Sequence, residues 1–60
     1  VSPQEYLLDL RIRKASELLK RTDLPISVIA LSVGYEDTLY FSRLFKKKKG
    51  QSPTRYRALS

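Results

Sequence analysis

At 60 residues the chain is bounded to one small domain, and without a single cysteine or histidine it can form no disulfide, no thiolate metal site and no histidine-based catalytic pair. Its formal net charge of +6 is unevenly placed: residues 1–33 carry five basic and four acidic groups, residues 34–60 seven basic and two acidic. The basic second half favours approach to a polyanion, while no apolar run nears the roughly 18 residues that cross a bilayer and no signal peptide is visible, which places the chain among soluble, cytoplasmic proteins.

The first element starts at Ser2-Pro3-Gln4-Glu5. Ser2 offers a side-chain oxygen to an orphan amide, Pro3 fits where no amide partner is needed, and Glu5 is placed to bond back to the cap. At about 100° per residue, Leu7, Leu8, Ile12, Ala15, Leu18 and Leu19 fall in one arc, with Asp9, Arg13, Ser16, Glu17 and Lys20 pointing elsewhere. The helix is expected to span 2–21, because Thr22-Asp23-Leu24-Pro25 is turn chemistry and a residue before proline is pushed out of the helical region. Arg11 falls inside the apolar arc and needs a partner there. Asp37 is the expected one, with a group outside the chain as the competing choice.

A second helix follows from Ile26 to Val33, with Ile26, Ile29, Ala30 and Val33 at the i, i+3, i+4, i+7 spacing of a buried stripe. Gly34 stops it, since glycine alone takes a left-handed conformation at no steric cost. Glu36 and Asp37 then suit the positive end of a third helix over 37–48, which Gly50 terminates. Ser52-Pro53 repeats the first starting signal and opens a short helix over 52–58. The expected fold is all-α: a long helix, a helix-turn-helix over 26–48, and a short C-terminal helix.

Two short helices joined across a glycine are the form in which a second helix enters the DNA major groove. The faces of the third helix support that use. Phe41, Leu44, Phe45 and Asp37 share its inner face, and Leu39, Arg43 and Lys46 lie opposite, flanked by Tyr40, Ser42 and Lys47. Arg43 can bond two acceptors on guanine, Thr38 and Ser42 can reach bases, and Leu39 can pack on a thymine methyl, so Thr38, Leu39, Ser42 and Arg43 are the candidate base readers. Tyr40, Lys46 and Lys47 are the candidate phosphate contacts, joined by Gln51, Ser52, Thr54 and Arg55 around the start of the last helix. For Lys48 and Lys49, phosphate contact and a merely solvated helix end remain equal choices. No nucleophile and base, metal ligand set or phosphate-cradling loop can be assembled, so neither enzyme activity nor a cofactor is expected. The rival reading is a helical protein-interaction module docking on RNA polymerase or on another regulator domain.

The ordered residues resemble the AraC/XylS family of bacterial transcription regulators. The likeness is carried by Ser2-Pro3, Tyr6-Leu7, Leu10-Arg11-Ile12, Ala15, Leu18-Leu19, Ile26, Ile29-Ala30, Val33-Gly34-Tyr35, Tyr40-Phe41-Ser42-Arg43, Phe45-Lys46, Gly50, Ser52-Pro53 and Tyr56-Arg57. It implies the central linker helix and second helix-turn-helix of a two-unit DNA-binding domain. Double-stranded DNA is then the partner, together with a first helix-turn-helix and an effector or receiver domain absent from this chain. A single unit on its own is expected to bind weakly and with strong salt dependence. Two positions depart from the pattern: Val28 stands where the family commonly has an acid, and Pro25 where a capping serine is frequent.

Overall fold

The computed structural model describes residues 2–59, which form four helices and, among those residues, no strand: α1 (Pro3–Arg21), α2 (Ile26–Ser32), α3 (Thr38–Lys49) and α4 (Pro53–Leu59). Ser2 caps α1 by accepting a hydrogen bond from the Glu5 amide at 3.1 Å. At the other end the Thr22 hydroxyl donates to the Leu18 carbonyl at 2.7 Å and accepts from the Leu24 amide at 3.3 Å, which turns the chain out of the helix. A long-range group completes this end. Arg57 of α4 reaches back with Nε to the Leu19 carbonyl and Nη2 to the Thr22 carbonyl, each at 3.2 Å. A cation on carbonyls at a helix C-terminus satisfies otherwise unpaired acceptors and complements the dipole. The contact therefore ties the first helix to the last.

α2 starts without a side-chain cap, as Pro25 at that position dictates. Its end is closely specified. The Gly34 amide donates to the Leu31 carbonyl at 3.1 Å and the Tyr35 amide to the Ala30 carbonyl at 2.8 Å, with Gly34 at φ +105°. This pair of bonds is a Schellman motif, in which the residue after the cap must be left-handed. Val33 thus belongs to the cap and α2 is one residue shorter than the periodicity implies. α3 is shifted likewise: Asp37 is its cap rather than its first turn, and the helix runs on to Lys49 before Gly50, at φ +79°, releases it.

The core draws on three helices. Ile12, Ala15 and Leu19 come from α1, Ile29, Ala30 and Val33 from α2 and its cap, and Phe41 and Phe45 from α3. The two phenylalanines are fully enclosed, beside two alanines that are equally inaccessible. Interleaving large and small side chains in this way is how a thin core packs closely. Phe41, Phe45 and Tyr56 continue one another as an aromatic series, with centroids 5.9 Å and then 5.3 Å apart. Lys20 closes this series, its ammonium 5.4 Å from the Tyr56 ring centroid. That cation, together with Ser16, holds the Tyr56 phenol below its usual pKa.

Two expectations about α1 require correction. Ser16 is buried and Leu7 is exposed, the reverse of their places on the helical wheel. Ser16 tolerates burial because its hydroxyl donates to the Arg13 carbonyl at 2.7 Å, and it lies towards Tyr56 of α4, whose docking widens the buried stripe. Leu7 is 47% exposed, whereas its neighbour Leu8, one turn before Ile12, packs against the core.

Phe45→Ala is expected to cost about 3–5 kcal/mol, as much as a core of this size supplies in total. Far-UV circular dichroism of this variant should show no cooperative thermal transition; a native-like melt would contradict the core described.

Candidate nucleic-acid interface

α3 is held from behind and free in front. Phe41 and Phe45 are 0% exposed, whereas Leu39 on the opposite side is 75% exposed. The helical repeat places Arg43 and Lys46 on the same outward side as Leu39, and both are exposed. Thr38 and Ser42, one turn apart, are half-buried at the edge of this face, and Tyr40, 54% exposed, stands at its other edge. The structure thus gathers Thr38, Leu39, Tyr40, Ser42, Arg43, Lys46 and Lys47 on one helix, over about 14 Å of its axis.

The start of α3 is fixed by Asp37, whose Oδ1 accepts the Leu39 amide at 3.0 Å and the Tyr40 amide at 3.2 Å. The Arg11–Asp37 ion pair does not form. Asp37 is exposed and engaged as a cap, and the Arg11 guanidinium instead lies over the Tyr35 ring, 5.1 Å from its centroid. A helix N-terminus offers two amides close to a short acid at the cap position, and this local pair forms at less entropic cost than one spanning 26 residues of chain. The ion pair that does form among the described residues joins Lys48 to Asp9, 3.0 Å apart, and directs that lysine towards α1.

The remaining candidates sit at the far end of α3. Ser52 caps α4 by accepting the Arg55 amide at 3.3 Å, and Thr54 and Arg55 are exposed on its first turn. Gln51 lines a shallow cleft with Lys20, Tyr56 and Leu59, beside the end of α1. These groups are separated from the Leu39–Arg43 face by the Gly50 turn. Sequence reasoning missed the tie made by Arg57 and the stacking of Arg11 on Tyr35. Nothing local signals either one, since both partners are chosen by how distant helices pack. Among the described residues no cluster of acidic groups could hold a metal ion, and no helix is long and apolar enough to cross a membrane.

This geometry matches known proteins closely. The family described as "Helix-turn-helix domain" matches residues 1–59. The arabinose operon regulatory protein of Escherichia coli is 50% identical over 58 residues, 97% of this chain and 20% of that protein. The chain belongs to the AraC/XylS family of transcription regulators. Two solved structures share the backbone. One is the C-terminal domain of AraT, a response regulator from Geobacillus stearothermophilus, with a TM-score of 0.98 and 47% identity over 100% of this chain and 50% of the other. The second is the C-terminal domain of the two-component response regulator yesN from Fusobacterium nucleatum, with a TM-score of 0.94 and 44% identity over 95% and 55% of the two chains. The AraC-type chain described here therefore spans about a fifth of its curated relative and about half of each solved domain. It corresponds to the C-terminal DNA-binding region of such regulators.

For this AraC-type region, Asp37→Ala should lower stability by about 1 kcal/mol through loss of the cap, with Asp37→Asn near wild type because asparagine caps as well as aspartate. Urea unfolding measures both. Equal losses in the two variants would show that charge pairing, not capping, is what Asp37 supplies.

Proposed function

We propose that this region binds double-stranded DNA by laying α3 in the major groove, as the base-reading half of a cytoplasmic regulator. The observation that carries the reading is the polarity of α3. Its buried phenylalanines immobilise one side, and the other presents Leu39 and Arg43, both exposed among the described residues. Arg43 reads guanine through paired donors, Thr38 and Ser42 bond to base edges, and Leu39 meets a thymine methyl. Tyr40, Lys46 and Lys47 contact phosphates, and Gln51, Ser52, Thr54 and Arg55 add contacts near the start of α4, with the lysines supplying the salt-dependent part of the affinity.

The regulator around this region includes, on our reading, a first helix-turn-helix and an effector or receiver domain. The short span of this chain on its relatives supports that view. Two groove-reading units about one turn of DNA apart reinforce one another, so a single unit binds weakly. Contact with RNA polymerase is a further partnership open to such a regulator, tested by recruitment of polymerase to a bound operator.

Selection of duplexes from a random pool identifies the target. Against an enriched duplex, Arg43→Ala should lose about 1–3 kcal/mol of discrimination at one base pair, and Lys46→Ala should weaken all duplexes alike while reducing the salt slope by about one unit. Competition binding at several salt concentrations reads both. An Arg43→Ala protein that discriminates as well as wild type would remove α3 as the reading helix.

A further inference from the structure

We infer that Arg11 is a positioning residue for DNA reading: from α1 it holds Tyr35, and through Tyr35 it sets how α3 presents Tyr40. This inference rests on the DNA-binding reading above. Four observations converge on it. The Arg11 guanidinium lies 5.1 Å from the centroid of the Tyr35 ring. The same Tyr35 ring meets Tyr40 edge-on, with centroids 6.1 Å apart and planes at 65°, and also meets Phe41 at 5.8 Å. Those two neighbours are consecutive on the first turn of α3, one facing the core and one half-exposed at the edge of the outward face. Finally, the guanidinium fills the space in front of Gly34: a Cβ there would stand 3.0 Å from Arg11 Cζ and 3.2 Å from Nη2.

The physical logic is that of an arginine placed among apolar residues. A guanidinium keeps its charge at any physiological pH, so at a half-buried site it needs an electron-rich partner. Asp37 is committed to capping α3, and the face of Tyr35 takes that place. Cation–π contact gains strength as the pair is desolvated. Gly34 lets the guanidinium approach, and its left-handed φ is required by the turn in any case. Tyr35 therefore has a cation from α1 on one side and the first turn of α3 on the other. Its ring fixes the Tyr40 ring, and with it the reach of the Tyr40 hydroxyl to a phosphate.

The test is a double-mutant cycle between Arg11→Gln and Tyr40→Phe, read by affinity for a duplex that the wild-type protein enriches from a random pool. Measurements are made at a temperature where circular dichroism shows each variant fully helical. Arg11→Gln should weaken binding about tenfold while leaving the salt slope unchanged, and Arg11→Lys should stay within about threefold of wild type, since a cation remains over the ring. The loss caused by Tyr40→Phe should shrink when Arg11→Gln is already present, because the hydroxyl is then no longer well placed. Additive losses, or unchanged affinity in Arg11→Gln, would overturn the inference. A salt slope reduced by about one unit would do so too, by making Arg11 itself a phosphate contact. Should Arg11→Gln not fold, Tyr35→Leu takes its place in the cycle, cutting the same link one step further on, and additivity there overturns the inference equally. Failure of the wild-type protein to enrich any duplex sinks the DNA reading itself. Enrichment that Arg43→Ala abolishes and Arg11→Gln leaves intact sinks only the role of Arg11.

Discussion

Enclosure of Phe41 and Phe45 between α3 and the helices behind it is the constraint on which the rest of the structure depends. Each buried phenylalanine contributes on the order of 2–3 kcal/mol by removing its ring from water, and the two stand one turn apart on the same side of α3. That spacing sets the rotation of the helix about its axis. Once the rings are inside, Leu39 and Arg43 face outward by geometry alone, without any polar contact to hold them there. The small side chains of Ala15 and Ala30, wholly buried in the same core, leave room for rings of this size.

Around that hydrophobic anchor, polar groups specify where each helix begins and ends. The Schellman turn at Gly34 and the Asp37 cap set the short path from α2 to α3. Arg57 closes the C-terminus of α1 from the far end of the chain. These contacts add little bulk but remove choices: a helix whose end bonds are satisfied does not fray into the next segment. In a domain this small, where the net stability left by a single core is only a few kcal/mol, such caps decide whether α3 keeps a single length and direction.

The long helix α1 acts as the reference frame. It supplies Ile12, Ala15 and Leu19 to the core, Asp9 to Lys48, Arg11 to Tyr35 and Lys20 to Tyr56. These contacts run along its length and reach the turn before α3, the end of α3 and the helix after it. On the proposed reading, the helix that would link two DNA-binding units is also the one that braces α3.

The sequence by itself determined the four helices, their order and the sidedness of α3, because these follow from periodicity, from Gly34 and Gly50 as stops, and from Ser2, Asp37 and Ser52 as local starts. Such signals act within a few residues and are readable in one dimension. The outward placement of Leu39 and Arg43 was legible for the same reason, since both lie opposite two phenylalanines on a helical wheel, with Thr38 and Ser42 at the edge. Other assignments were not. Ser16 inside and Leu7 outside, Arg11 on Tyr35 rather than Asp37, Lys48 on Asp9 and Arg57 on the end of α1 all depend on where separate helices come to rest against each other. A wheel describes one helix in isolation and gives each side chain a direction but no neighbour; only the packed structure decides which of several chemically acceptable partners lies within reach.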